Sequence, residues 1–274
     1  MKKILLAIYA IALVFGGCEP NAPAISTSKG IGLFSVSEDK QVTFSKGNLQ
    51  YTQSTNTWSF AENQWDYIGT DNVTGGSVTS DPTYGDEKEE TTLADKVDLF
   101  GWSTSSTNYG VSNSTNNSSG SFVDWGTNKI GNDAPNTWRT LTYDEWKYLR
   151  YDRTNADDLV GVVQVNGVNG LILLPDNWTC PAGVTFKPGF HSNDGVDYYA
   201  AYQTFTAAEW SKLESVGAVF LPAAGSRENT SLSIYDNSGF YWAVAESCFY
   251  FYSSCASVIG DHKKGQTVRL VKDL

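Results

Sequence analysis

The sequence predicts an α+β fold with mostly antiparallel sheets. Short segments in which apolar and polar residues alternate recur along the chain and are separated by turn residues, a pattern typical of half-buried strands. Clear helix start signals occur at two places, and strand-like segments follow each of them without a regular alternation of strand and helix. The chain has 274 residues, of which 41% are hydrophobic and 14% aromatic, which is enough to bury a substantial core.

Residues 1–17 have the pattern of a secretory signal peptide. A charged start precedes an apolar run over residues 4–15, which is too short for a helix to span the roughly 30 Å hydrocarbon core of a membrane. The run ends in Gly-Gly-Cys at Cys18, which resembles the lipobox of bacterial lipoproteins and implies that Cys18 is lipidated. A conventional secreted protein is the alternative. Residues 18–30 are polar and contain two prolines, so they predict a tether.

The first part of the folded body is predicted to be rich in strands. Alternating segments flank residues 37–39 and residues 54–56, and each pair of segments predicts a hairpin. Residues 72–90 are polar and acidic, and residues 103–121 consist largely of Ser, Thr and Asn. Both stretches predict long surface loops.

Two helices are predicted at about residues 142–151 and 206–216. Both begin with the pattern T-x-x-E-W-x-x-L, in which the Thr side chain caps a backbone N–H and the Glu side chain reaches back to the Thr backbone. The chain between them has two apolar runs around residues 166–169, which predict a hairpin. From residue 239 onward, aromatic-rich segments predict a late antiparallel sheet.

Composition and motifs exclude several classes of function. The net charge of -11 and the absence of a basic stripe argue against binding to nucleic acid. No phosphate-binding loop, zinc-protease motif or nucleophile elbow occurs. We therefore expect no catalytic residue, no cofactor and no obligatory metal, while calcium dependence stays open. His191 lies near Asp194 and Asp197, and two neighbouring glycines favour a polar loop there over a metal or acid–base cluster.

Disulfide bonds among the cysteines beyond Cys18 are not expected to be the main source of stability. They are Cys180, Cys248 and Cys255. Because their number is odd, at most one disulfide forms among them and one thiol remains. A bridge between Cys248 and Cys255 is disfavoured because one continuous strand places residues seven apart on opposite faces.

Five segments occur in a set order from Trp138 onward, over about residues 138–272: WRTLTYDEWKYL, LILLPDNW, GAVFLPAAGSR, GFYW and GQTVRLVKD. Together they resemble a group of bacterial surface proteins with a C-type-lectin-like fold. The group includes the Fibrobacter succinogenes major paralogous domain, relatives of the formylglycine-generating-enzyme fold and the variable proteins diversified by retroelements. The resemblance implies one such domain over residues 31–274, with a β-rich N-terminal extension over about residues 31–130. It also implies that the two ends of the domain pair in one sheet.

The same resemblance assigns ligand recognition to roughly residues 225–265. Side chains there can cover the apolar faces of a ligand and hydrogen-bond to it. The predicted ligand-binding residues are Arg227, Asn229, Tyr235, Asp236, Asn237, Tyr241, Tyr250 and Tyr252. Alternation along the strand predicts that Phe249 and Phe251 face the core while Tyr250 and Tyr252 face the other way, and Trp242 is assigned to the core.

These observations predict a lipid-anchored protein of the outer membrane or cell surface, which binds a glycan or a protein ligand and is not an enzyme. Its expected partners are that ligand and the membrane, which it contacts through its N-terminal lipid. The alternative is a structural or accessory subunit of a surface appendage or an uptake complex. A third alternative is an enzyme that acts on polysaccharide, with Asp176 and Glu246 as its acidic residues.

Overall fold

The computed structural model describes residues 32–72, 77–80, 95–102, 110–111, 121–190, 202–228, 231–234, 238–244, 247–259 and 264–274. Over these ranges the chain is a mixed α+β protein with mostly antiparallel sheets and two short helices, which confirms the predicted fold class. The predicted signal peptide, the tether and Cys18 lie outside the described residues. In the part of the chain that is described, no helix is long and apolar enough to cross a membrane.

The strands are short, and most of them pair with neighbours that are distant in the sequence. In chain order they are β1 (Phe34–Ser35), β2 (Gln41–Phe44), β3 (Leu49–Thr52), β4 (Thr57–Phe60), β5 (Ser77–Ser80), β6 (Lys96–Val97), β7 (Leu99–Phe100), β8 (Val160–Val165), β9 (Val168–Leu173), β10 (Thr204–Phe205), β11 (Val219–Pro222), β12 (Ser226–Glu228), β13 (Ser231–Ile234), β14 (Ser238–Ala243), β15 (Ser247–Tyr252), β16 (Cys255–Ile259), β17 (Gln266–Thr267) and β18 (Val271–Asp273).

These strands form five sheets: the terminal, central and C-terminal sheets have three, four and five strands, and two further small sheets have three strands each. The terminal sheet has the order β1-β2-β18, the central sheet β10-β8-β9-β11 and the C-terminal sheet β16-β15-β14-β17-β7. The small sheets are β4-β3-β6 and β12-β13-β5. In the terminal sheet Phe44 of β2 lies opposite Val271 of β18. The two ends of the described body therefore pair in one sheet, as the resemblance implies.

The predicted hairpins form where turn residues separate the strands. β1 pairs with β2 and β3 with β4, both antiparallel. Between β8 and β9, Asn166 and Gly167 adopt φ values of 50° and 83°. Asn and Gly tolerate this left-handed backbone better than other residues, and two such residues in sequence give the turn that matches strand twist. The hairpin predicted around residues 166–169 is thus confirmed.

Both helices begin at the predicted capping boxes. Helix α1 (Tyr143–Lys147) is capped by Thr142 and continues as a π-helical turn over Tyr148–Asp152, while helix α2 (Ala207–Ser215) is capped by Thr206. In each box the Thr side chain accepts a bond from the Glu N–H, and the Glu side chain accepts one from the Thr N–H. These reciprocal bonds satisfy backbone donors that the first turn of a helix leaves free.

Glu145 of the first box also belongs to an ion-pair network. Its carboxylate accepts hydrogen bonds from Arg139 at 2.7 and 2.8 Å and from Lys40 at 3.1 Å. Arg139 and Lys40 also pair with Asp273 of β18. Burial alone would raise the pKa of Glu145, but the bonds from Arg139 and Thr142 outweigh it, so the pKa lies below its usual value of 4.5. The network joins α1 to the turn between β1 and β2 and to β18, so it connects the helix to the terminal sheet.

Acid is therefore expected to destabilise the protein partly through Glu145. A carboxylate whose pKa is lowered by folding stabilises the folded state above its ordinary pKa, and this contribution is lost as the pH falls through the lowered pKa. We expect Glu145→Gln to be less stable than the wild type at pH 7, and the two to converge as the pH falls below about 4.5. Urea unfolding from pH 7 to pH 3 measures this. Glu209→Gln, in the exposed box of α2, is the matched control and should show a smaller effect; equal effects would contradict the assignment to the Arg139 network.

The core has three clusters. The first lies between the terminal, central and C-terminal sheets and includes Trp146 of α1. The second covers the other face of the central sheet with Trp210 and Leu213 of α2. The third contains Trp58, Trp102, Trp125 and Trp242, which pack together with Leu49 and Val97 of the β4-β3-β6 sheet and with Val268 and Leu270. The central sheet is buried on both faces, which explains why its strands are continuous apolar runs.

Two expectations about loops and cysteines can be compared with the described residues. Residues 72–90 are not a loop throughout, because β5 lies within them and pairs in parallel with β13; the rest of this stretch and most of residues 103–121 lie outside the description. Cys180, Cys248 and Cys255 are free thiols. Cys248 and Cys255 do not share one continuous strand, since a turn at residues 253–254 places them on β15 and β16.

Candidate ligand-binding face of the C-terminal sheet

The strands β14, β15 and β16 form an antiparallel meander with two different faces. The inner face contributes apolar side chains to the first core cluster. They are Tyr241, Ala243, Phe249, Phe251, Ala256 and Val258. Phe249 and Phe251 thus face the core and Tyr250 and Tyr252 face the other way, as the alternation predicts.

The outer face is covered at one end and open at the other. Trp242 and Cys248, which lie opposite each other on β14 and β15, are fully buried. Trp102 and Trp125 pack over Trp242, with ring centroids 5.1 and 6.4 Å from its own. The open end carries Phe240, Tyr250 and Tyr252, and we call these three residues the aromatic face. The third core cluster therefore covers one end of the outer face, and the aromatic face occupies the other end.

The three rings of the aromatic face pack against one another. Phe240 lies opposite Tyr250 in the β14–β15 register, and their rings are stacked with centroids 6.3 Å apart. Tyr252 meets both rings edge to face, at 6.2 Å from Phe240 and 5.5 Å from Tyr250. Such contacts fix ring orientation and favour aromatic pairs beyond simple burial. The rings are held in place without being removed from the surface: Tyr252 is 36% exposed.

Polar groups border the aromatic face. Ser257 lies directly opposite Tyr250 in the β15–β16 register. Tyr151, in the turn after α1, is 46% exposed, and its hydroxyl donates to the Ala256 carbonyl at 2.8 Å. The guanidinium of Arg150 lies over the Tyr151 ring, 4.7 Å from its centroid. The surface thus combines flat apolar rings with hydroxyl groups at their edges.

The tyrosines of the aromatic face are neutral near pH 7. Partial burial raises the pKa of Tyr250, and the nearby Cys255 and Tyr151 raise it further. The pKa of Tyr252 is also raised, by burial first and then by Tyr250. Both phenols therefore keep the proton that lets them donate as well as accept a hydrogen bond.

Arg227 and Tyr241 do not belong to a surface site, so these two predictions are wrong. Tyr241 lies on the inner face of β14 opposite Phe249, where it is fully buried. Its hydroxyl donates to the Pro222 carbonyl at 2.8 Å. Arg227 is also fully buried and donates to the Leu99 carbonyl at 3.3 Å, and burial lowers its pKa to about 10. Both side chains connect the C-terminal sheet to neighbouring elements.

The other predicted ligand-binding residues divide into two groups. Tyr250 and Tyr252 lie together on the aromatic face, and their role in binding stays a prediction. Four lie outside the described residues: Asn229, Tyr235, Asp236 and Asn237. Sequence reasoning missed Phe240 and Tyr151. The position of Phe240 follows from the β14–β15 register, which the sequence does not specify, and Tyr151 approaches only through the packing of α1.

Asp176 has a structural role. Its carboxylate accepts hydrogen bonds from the Ser35 N–H at 2.6 Å, from Gln41 at 3.2 Å and from Arg153 at 3.2 Å. These bonds hold the β1–β2 hairpin against the turn that follows β9. Its suggested partner Glu246 lies outside the described residues, as does the His191 cluster. Among the described side chains, no three His, Cys, Asp or Glu residues are grouped as metal ligands.

A second surface feature is a groove of about 730 Å³ on the side of the terminal sheet. Phe44, Phe60 and Trp138 form its apolar walls, and Gly32, the first described residue, lies at its edge. Phe60 meets Trp138 edge to face with centroids 5.2 Å apart. Of the predicted ligand-binding residues that the structure describes, none lines this groove.

Comparisons with known proteins add no assignment. Neither the family models, nor the curated proteins, nor the solved structures with which the chain was compared give a match.

Proposed function

We propose that this protein is a lipid-anchored cell-surface binding protein with a C-type-lectin-like fold, and that it binds a glycan through the aromatic face. The observation that carries the proposal is the set of three contacting rings, Phe240, Tyr250 and Tyr252, on the open outer face of the C-terminal sheet. The anchor rests on the signal-peptide pattern and Cys18.

Three features support the lectin-like fold. The two ends of the body pair in one sheet. Two capped helices flank the sheets. The last strands form an antiparallel meander whose outer face is partly open. Since one fold serves many functions, the binding proposal depends on the chemistry of the aromatic face.

The chemistry of the aromatic face suits a sugar. The C–H faces of a pyranose ring are apolar and pack on flat aromatic rings, while its hydroxyl groups need hydrogen-bond partners at the ring edges. Tyrosine supplies both with few rotatable bonds. Among the described residues, the other large exposed hydrophobic side chains are Tyr143, Tyr151 and Leu274. An extended aliphatic patch, such as the core of a protein interface, is therefore not part of the described surface.

The proposal is tested by screening the full mature chain on an array of polysaccharides and oligosaccharides. We expect Tyr250→Ala with Tyr252→Ala to weaken binding of the best-bound glycan by about 30-fold or more, because rigid aromatic anchors dominate such interfaces. Isothermal titration measures the affinity. Tyr143→Ala is the matched control, because Tyr143 is 38% exposed on α1 and lies apart from the aromatic face; its binding should equal that of the wild type.

Two results would contradict the proposal. Glycan binding that survives the double substitution would place the site elsewhere on the surface. Failure on the array, together with capture of a surface protein that depends on Tyr250 and Tyr252, would replace the glycan by a protein ligand. Melting temperatures of all variants show whether the fold is intact, and surface substitutions of this kind are expected to change it little.

A further inference from the structure

The groove beside the terminal sheet is apolar but carries charges of both signs at its rim. Phe44, Phe60 and Trp138 are only partly buried and leave ring surface open to the groove. Asp133 and Glu214 line it as well, and so do Lys46 and Lys272. The Trp138 indole N–H donates to Asp133 at 2.9 Å, which fixes the indole ring at the wall. A segment that fits here needs small apolar groups, and a positive charge on it can pair with Asp133 or Glu214 if it lies away from the two lysines.

The described chain begins at this groove. The Gly32 backbone is packed so closely that a Cβ atom there would lie 2.4 Å from the Gly217 carbonyl oxygen, and both residues line the groove. Leu33 is fixed on the other side, because its carbonyl accepts a hydrogen bond from the Asp176 N–H at 2.7 Å. The residues that precede Gly32 are therefore joined to the folded body at the groove.

The preceding residues have the composition that the groove requires. Residues 20–31 read PNAPAISTSKGI, in which Lys29 is the one charged residue. Pro23, Ala24 and Ile25 provide small apolar groups that match the aromatic walls, and Lys29 complements Asp133 and Glu214. Because this segment is joined covalently to the edge, its effective concentration at the groove is about millimolar, and weak contacts suffice to occupy it.

We propose that the groove binds residues 20–31 of this chain, which include most of the predicted tether, through Ile25 and Lys29. Docking removes much of the freedom of the tether between Cys18 and the folded body. If Cys18 carries the lipid, as the proposed function has it, the docked tether also sets how far from the membrane the body sits and how the aromatic face is turned.

Trypsin cleavage after Lys29 tests the docking in the full chain. A docked Lys29 is cut only when the tether opens, so the rate reports the open fraction. We expect the product that begins at Gly30 to appear about 10-fold more slowly than from a synthetic peptide of residues 20–37. Mass spectrometry of a time course measures both rates.

Two variants separate docking from simple proximity to the folded body. Ile25→Asp leaves the body untouched and should bring cleavage of the Lys29 bond close to the rate in the peptide. Ser59→Trp adds bulk in the groove and should do the same, whereas Thr57→Trp, on the same strand at an exposed position away from the groove, should not. Melting curves check the folding of the tryptophan variants.

The proposal is overturned if the wild type is cut as fast as the peptide, or if Ile25→Asp is protected as well as the wild type. The second result would mean that nearness to Gly32 alone slows the protease. Glycan binding by Ile25→Asp, measured on the same array, keeps this test apart from the proposed function. Loss or retention of glycan binding tests the aromatic face, whereas the rate of trypsin cleavage after Lys29 tests docking in the groove.

Discussion

Trp146→Ala is expected to lower the free energy of unfolding by about 3–5 kcal/mol. Trp146 is fully buried in the first core cluster. Its ring stacks on Phe249 with centroids 4.6 Å apart and planes 5° apart, and its indole N–H donates to the Trp242 carbonyl at 3.4 Å. The substitution leaves a cavity where α1 meets the C-terminal sheet and leaves that carbonyl without its donor. A loss of this size is a large fraction of the stability of an ordinary domain.

Urea unfolding followed by circular dichroism measures this loss. Trp178→Ala is the matched control, because Trp178 is only partly buried at the edge of the second cluster, and it should cost less than half as much. A change below about 1 kcal/mol for Trp146→Ala would mean that α1 contributes little to the core.

Gln64→Leu is expected to be similarly damaging, at about 3–5 kcal/mol, although the residue is neither catalytic nor apolar. The Gln64 side-chain oxygen accepts from Arg269 at 2.6 Å and from the Phe220 N–H at 2.8 Å. Its nitrogen donates to Glu214 at 3.1 Å and to the Ala218 carbonyl at 3.2 Å. Leucine removes all four bonds at once and leaves a buried guanidinium with one fewer acceptor.

A second substitution tests whether the buried charge causes the loss. Arg269 is 1% exposed, and burial lowers its pKa to about 10. Replacing Arg269 by Met in the Gln64→Leu background removes the charge and should restore part of the stability, so the two changes should be less than additive. Additive losses in the double-mutant cycle would show that Gln64 acts through the backbone of β11 and not through Arg269.

The parts of the fold that could be predicted from the sequence are those with a local cause. A Thr and a Glu three residues apart are sufficient for the helix starts at Thr142 and Thr206. Asn166 and Gly167 are sufficient for the turn between β8 and β9. In each case residues that are adjacent or nearly adjacent in the chain satisfy one another's backbone, so distant contacts are not needed to recognise the element.

The parts that could not be predicted depend on pairing between distant segments. β5 lies in a polar stretch and forms because β13 pairs with it in parallel. Tyr241 and Tyr250 have similar local sequences around them, yet one is core and the other surface, because the β14–β15 register places Tyr241 opposite Phe249 and Phe240 opposite Tyr250. Arg227 is read as a polar loop residue from the sequence, whereas the backbone pairing of β12 with Gly265 closes over it.

The pairing of β2 with β18 makes the order of synthesis matter. β18 is the last of the described strands in chain order, and its partner β2 is among the first parts of the body to be made. The terminal sheet can therefore close only after β18 has been made, and the first core cluster, which includes Val42 and Val271, stays incomplete until then. A chain that is cut before β18 is expected to lack a closed first core cluster, however complete its other strands are.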